Sequence, residues 1–170
     1  TGEIIIFCPE KTTYSYYNNP AEQEKKFYKG WMYTGDLGTW DEDWFVTVCG
    51  RKDDMIICSG ENIYPTQIEE VLNEHPGVAD SLVTAVADKV RGQVVVAYVV
   101  PHDDALTVRD LVDYCNASPM LSAYKRPRYY RLVDSLPHTA TGKKLHYVMK
   151  QQAAVDLEKA QFNAKKKILV

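Results

Sequence analysis

Val78-Ala79-Asp80-Ser81-Leu82-Val83-Thr84-Ala85-Val86 and Gln93-Val94-Val95-Val96-Ala97-Tyr98-Val99-Val100 are two apolar runs separated by Asp88-Lys89-Val90-Arg91-Gly92. Their β-branched content, the second being almost wholly Val, Ala and Tyr, predicts two strands joined by a turn. Upstream, Pro65-Thr66-Gln67-Ile68-Glu69-Glu70-Val71-Leu72 opens a helix with Ile68, Val71 and Leu72 on one face. Downstream, Thr107 caps a helix in which Val108, Leu111, Val112 and Cys115 recur at helical spacing. Arg128 to Val133 predicts another strand, and a last helix starts at about Leu145. This order of helix, strand, strand, helix, strand, helix predicts an α+β fold, a short mixed sheet packed by helices.

Before Pro65 the pattern differs. Met55-Ile56-Ile57-Cys58 followed by Ser59-Gly60-Glu61-Asn62 predicts a β-hairpin. Glu3 to Cys8 and Trp44 to Cys49, the latter closed by Gly50, predict strands, and Pro20 to Phe27 a short helix capped by Asn19. Gly30 to Gly38 reads as a glycine-punctuated loop. The expected divisions are residues 1–52, a β-rich segment; 53–150, a compact domain; and 151–170, a helix and basic tail. About 50 residues have difficulty burying a core alone, so the first segment is expected to belong to something larger. The absence of an initiating Met at Thr1 fits that expectation.

The 170 residues carry a formal net charge of −3, are 45% apolar and 25% charged, and show no basic stripe that would suit nucleic acid. Lys165-Lys166-Lys167 reads as a solvated tail. No apolar run approaches the roughly 20 residues of a membrane span, and Thr1-Gly2-Glu3-Ile4 does not read as a signal peptide. Cys8, Cys49, Cys58 and Cys115 form no C-x-x-C pair, and His75, His102, His138 and His146 show no metal-ligand spacing beside them. Reduced thiols and a cytoplasmic location are expected, with no metal ligands in the segment.

Three stretches have compositions that a scaffold does not require. In Tyr33-Thr34-Gly35-Asp36-Leu37-Gly38, a carboxylate on a glycine-bearing stretch can accept two hydrogen bonds from a ribose diol; on spacing alone an ordinary turn, with Asp36 satisfying local backbone N–H groups, is the stronger reading. In Gly50-Arg51-Lys52-Asp53-Asp54, an arginine at a strand end can reach phosphate or ribose, and the adjacent acids keep the stretch solvated and able to move. The same residues also suit a charged interdomain turn. The third is Leu136-Pro137-His138-Thr139-Ala140-Thr141-Gly142-Lys143-Lys144-Leu145. It fails the phosphate-loop pattern, which needs Gly at 137 and Ser or Thr at 144. Lys143 can still serve as a point charge on an anion, or as an ordinary surface lysine.

In this order, and with Thr1-Gly2-Glu3-Ile4 and Ser59-Gly60-Glu61-Asn62-Ile63-Tyr64-Pro65 beside them, these stretches resemble the closing third of the adenylate-forming superfamily. That superfamily includes acyl-CoA synthetases, luciferase and peptide adenylation domains. The resemblance runs from about Thr1 to Lys150. It implies an AMP-forming acid-thiol ligase using a carboxylic acid, ATP, CoA and Mg²⁺, with the Mg²⁺ ligands outside the segment. By the same resemblance, Asp36, with Thr34 in its motif, binds the ATP ribose and Arg51 accompanies it. Asp53 is the hinge before a mobile C-terminal domain, Lys143 contacts carboxylate and α-phosphate, and Gly60 lines the thiol's approach.

Leu121-Ser122-Ala123-Tyr124-Lys125-Arg126-Pro127-Arg128 is similar to the nucleotide-contacting segment of chlorobenzoate-type CoA ligases. That likeness makes Tyr124, Arg126 and Arg128 candidates for CoA, with Arg91 where an aromatic residue stacks on adenine. Lys144 and His146 stand where the family usually has an apolar residue and an arginine. Two further readings remain open: an enzyme loading a carrier-protein phosphopantetheine, and a non-catalytic fragment acting as a binding module. The segment is expected to be inactive alone, needing its own N-terminal domain as partner.

Overall fold

The computed structural model describes residues 1–9 and 16–164; the Lys165-Lys166-Lys167 run lies outside the described residues. The chain divides into two compact units, Thr1–Asp53 and Asp54–Val170.

In the first unit, β1 (Gly2–Phe7), β2 (Phe27–Tyr28), β3 (Trp31–Trp40) and β4 (Val46–Arg51) form an antiparallel sheet in which β3 pairs with all three others. The short helix α1 (Pro20–Lys26) is capped as expected, the Asn19 side chain accepting from the Glu22 N–H. The stretch expected as a loop, Gly30 to Gly38, is instead mostly strand β3. Its aromatic and threonine residues favour the pleat and its neighbours supply ladder partners, which outweighs the glycine signal. Glycine leaves its mark as an irregularity: Ile4 faces Thr34, Gly35 and Asp36, between the pairs Glu3–Leu37 and Ile5–Tyr33. The second expected strand is shifted by two residues. The Asp41 carboxylate accepts from the Asp43 and Phe45 N–H groups, so Trp44 turns at φ +66° and β4 starts at Val46.

Leu37 is the one buried hydrophobic among the described residues of this unit, while Phe7, Trp40, Trp44, Phe45 and Val48 are each more than half exposed. A sheet so thinly covered buries little apolar surface of its own.

The second unit has its own core. Strands β5 (Ile56–Cys58), β6 (Glu61–Ile63), β7 (Val78–Asp88), β8 (Gly92–Pro101), β9 (Tyr129–Leu132) and β10 (Asn163–Ala164) make a mixed sheet. Strand β8 pairs antiparallel with β7 and parallel with β9. Helices α2 (Pro65–Asn73) and α3 (Val108–Ala117) cover one face and α4 (His146–Glu158) the other. Alternation explains why β8 is almost continuously apolar: Val95, Ala97 and Val99 enter the core beside Ile68, Leu72 and Leu111. Val94, Val96 and Tyr98 enter a second core beside Met149 and Ala153. Both faces of β8 are therefore dry. Thr107 and Asp110 close a reciprocal capping box on α3.

One buried acid needs an account. Asp156 on α4 is fully buried, which pushes its carboxyl up, but Tyr98, Arg131 and Gln152 more than offset this and hold it below the usual carboxylate range. No helix among the described residues is long and apolar enough to cross a membrane.

Candidate functional site

In the first unit, the pairing of β3 with β4 sets Asp36 directly opposite Arg51. The guanidinium Nη1 donates to Asp36 Oδ1 at 2.9 Å and to the Thr34 carbonyl at 2.9 Å. Thr34 Oγ1 donates to the Ile4 carbonyl at 2.7 Å and accepts from the Asp36 N–H at 3.0 Å. The three predicted residues are thus one cluster. Gly35, at φ +76°, makes it possible: a Cβ there would lie 2.9 Å from Arg51 Nη2 and 3.0 Å from Lys26 Nζ. Glu3 accepts from the Gly35 N–H and pairs with Lys52 at 2.9 Å. The Lys52 ammonium lowers the Glu3 carboxyl from its ordinary value, with help from the Gly35 N–H against desolvation. As a partly exposed ion pair, Asp36–Arg51 contributes little stability, on the order of 1 kcal/mol or less. Its significance is orientation, since Asp36 Oδ2 points to no hydrogen-bond partner among the described residues. Asp53 is exposed, inside the single 3-10 turn Lys52–Asp54.

In the second unit, Gly60 sits with Ser59 in the two-residue turn between β5 and β6, at φ +84° and +52°. Both left-handed positions match the type I′ hairpin, and no atom lies within 4 Å of a Cβ built on Gly60. The Ser59 N–H donates to the Arg91 carbonyl at 2.9 Å, and Cys58 pairs with Gly92, so this turn is tied to the β7–β8 turn. Beside them opens a cavity of about 320 Å³ lined by Ser59, Arg91, Tyr124, Arg126 and Arg128, among others. Arg91 and the three candidates of the Leu121–Arg128 segment therefore line one cavity. Arg91 and Tyr124 are exposed, whereas Arg126 is partly committed, Nε donating to the Leu121 carbonyl at 3.0 Å.

Asp88 was legible only as a turn residue. Its carboxylate accepts from the Arg91 N–H at 2.8 Å and the Val90 N–H at 2.9 Å. Those bonds hold its pKa down and shape the turn that presents Arg91. Aspartate heading a tight turn is the signal that could have found it.

Lys143 lies elsewhere, on a small hairpin closed by the bridge His138–Lys144. The Thr139 N–H donates to the Lys143 carbonyl at 2.8 Å, and the Lys143 N–H to Thr139 Oγ1 at 3.0 Å. The side chain is exposed, with no hydrogen-bond or ionic partner among the described residues. The hairpin base packs on Asp80 and Ser81 near the start of β7, and Asp88 marks the end of that strand. At about 3.3 Å per residue, Asp80 and Asp88 stand roughly 26 Å apart along β7. One rigid sheet therefore presents Lys143 at one end and the arginine-lined cavity at the other.

Residues 67–143 match the family model described as the AMP-binding enzyme C-terminal domain. The 2-succinylbenzoate–CoA ligase of Bacillus cereus is 39% identical over 150 residues, covering 88% of this chain and 30% of that protein. Residues 67–143 thus belong to the AMP-binding enzyme C-terminal domain family. It spans about 30% of the length of the curated relatives it matches. The o-succinylbenzoate CoA synthetase of Bacillus subtilis, solved with its acyl-adenylate intermediate, superposes with a TM-score of 0.74 at 41% identity. That match covers 80% of this chain and 28% of the synthetase. The same enzyme with ATP and magnesium ion gives 0.72 at 41% identity, covering 80% and 28%.

Proposed function

We propose that this chain is the C-terminal part of an AMP-forming acyl-CoA ligase, which turns a carboxylic acid, ATP and CoA into acyl-CoA, AMP and pyrophosphate through an acyl-adenylate. The observation that carries this reading is the separation of two ends on one sheet, Lys143 at one and, at the other, the Gly60 turn with the Arg91-lined cavity beside it. Two half-reactions need different groups at one nucleotide. A domain with distinct ends, turned at the Asp53 hinge, supplies both.

In the first half-reaction the carboxylate oxygen attacks the α-phosphorus and pyrophosphate leaves. Negative charge accumulates between two anions, and the unpaired Lys143 ammonium stabilises it. Asp36, oriented by Arg51 and Thr34, accepts from the ribose hydroxyls. In the second, the CoA thiolate sulfur attacks the acyl carbonyl and AMP leaves; the thiol arm passes Gly60 while Arg91, Tyr124, Arg126 and Arg128 hold the CoA nucleotide. Mg²⁺ neutralises the triphosphate when bound. Among the described residues no group of three acid, histidine or cysteine side chains stands together as a metal site. The thin burial of the first unit supports residues 1–52 being part of a larger N-terminal domain, followed by the mobile domain from residue 53; the expected division at 150 falls inside α4, which packs into that domain's core. The setting is cytoplasmic metabolism of fatty or aromatic acids.

The direct test uses the complete enzyme with 2-succinylbenzoate, the acid named for its relatives, and with a panel of fatty and aromatic acids. Acid-dependent pyrophosphate exchange and CoA-dependent thioester release with no protein acceptor are expected; exchange without CoA-dependent release overturns the CoA assignment. The double variant Arg91→Ala, Arg128→Ala is expected to raise the KM for CoA about 10- to 100-fold, the value of one or two charge-assisted hydrogen bonds, with pyrophosphate exchange unchanged. Asp36→Ala is expected to raise the KM for ATP by about the same factor while the KM for CoA holds. A variant that moves both constants alike contradicts the division of roles.

A further inference from the structure

The lysine after Lys143 is occupied. Lys144 Nζ lies 2.7 Å from Asp80 Oδ1, also donates to the Ser81 carbonyl, and is 3.8 Å from Glu69 Oε2. Its side chain is 21% exposed, Asp80's 28% and Glu69's 8%. Asp80 takes a second partner from the same hairpin: His138 Nε2 stands 3.4 Å from its Oδ2. His138 and Lys144 are the two residues of the bridge that closes the hairpin, one on each arm. One carboxylate on β7 therefore grips both arms of a hairpin whose second arm carries Lys143, next to the bridge.

Glu69 backs this grip from below. Its Oε1 accepts from the Val83 N–H at 2.7 Å, and His146 Nε2 lies 3.7 Å away. Burial raises the Glu69 carboxyl, against the Val83 N–H, His146 and Lys144. The cluster joins α2, β7, the hairpin and the start of α4. In an extended arm, successive side chains leave on opposite faces. Burying Lys144 against β7 therefore turns Lys143 outward, where it has no carboxylate partner among the described residues.

We propose that Asp80 and Lys144 are positioning residues for Lys143: the Asp80 clamp fixes the hairpin so that the Lys143 ammonium is presented rather than left to sample the surface. This rests on the reading of Lys143 as the cation of adenylate formation. A cation on a loose loop reaches its transition state in a small fraction of conformers, and a displacement of about 1 Å can cost on the order of 100-fold. Lys144 touches no reacting atom in this scheme and acts only through its neighbour.

The test uses the complete enzyme with Lys144→Met, which keeps the length of the stem, and Asp80→Asn, which keeps shape and volume. Each is expected to lower the rate of pyrophosphate exchange about 10- to 100-fold, with the KM for ATP and the thioester half-reaction from supplied acyl-adenylate changed less than about twofold. Lys144→Arg should restore most of the exchange rate. Amide exchange at Gly142, Lys143 and Leu145 should quicken in Lys144→Met. Equal loss in both half-reactions, or full exchange activity despite a loosened hairpin, overturns the proposal. Lys143→Ala run in parallel separates the two ideas. If it leaves adenylation intact, the underlying reading fails; if it abolishes adenylation while both clamp variants remain fully active, only the clamp fails.

Discussion

Lys143→Ala in the complete ligase is expected to lower acyl-adenylate formation about 100- to 1,000-fold, the usual cost of removing one donor aimed at developing charge. Thioester formation from purified acyl-adenylate and CoA should change less than about threefold, because the ammonium stands at the far end of β7 from the Gly60 turn. The fold should be indifferent. The hairpin is closed by backbone bonds at Thr139, Gly142 and Leu145 and by the Asp80 grip on His138 and Lys144, none of which uses the Lys143 side chain. An exposed side chain with no partner contributes within about 0.5 kcal/mol of stability, so the thermal midpoint should barely move. Pyrophosphate exchange reads the first half-reaction and a thiol-consumption assay the second. Loss of both in equal measure would end the assignment of Lys143 to one step.

Long-range geometry separates what the sequence made legible from what it hid. Strands β7 and β8 were plain because both faces of β8 are buried, which leaves an apolar run that no loop would carry. Asp36 and Thr34 stood in one stretch and Arg51 in another, joined only by the family resemblance; the ladder shows that Asp36 and Arg51 face each other across it. Strand β3 was hidden because glycine near position 35 signals a loop locally, whereas here glycine is demanded by the arginine and lysine crowding it. The Asp80 clamp was beyond reach. Its partners lie about 60 residues apart in sequence, and a Lys-Lys pair on a loop carries no mark of which lysine is bound and which is presented. Arg126 shows the converse: a segment likeness counted it among CoA ligands, while the structure spends one of its donors on the Leu121 carbonyl.

Gly60→Leu is expected to produce the opposite kinetic split, with thioester formation lowered about 100-fold or more and pyrophosphate exchange changed less than about threefold. Two effects must be separated. At φ +84° a leucine costs on the order of 1–2 kcal/mol of backbone strain, which lowers stability without touching chemistry. The second effect is occupancy: beyond its chain neighbours nothing among the described residues lies within 4 Å of the added Cβ, so the new side chain starts out into open space. On the proposed function, that space is the thiol's approach. Gly60→Asn provides the discriminating control, because asparagine tolerates the left-handed region far better than leucine and keeps the turn. If strain alone mattered, Asn would retain the thioester rate and a series Ala, Val, Leu would track thermal midpoint. If obstruction matters, thioester rate should fall with side-chain volume through Ala, Val and Leu while the midpoint stays nearly level after the first step. A thioester rate that follows stability instead of volume would remove Gly60 from the path of the thiol.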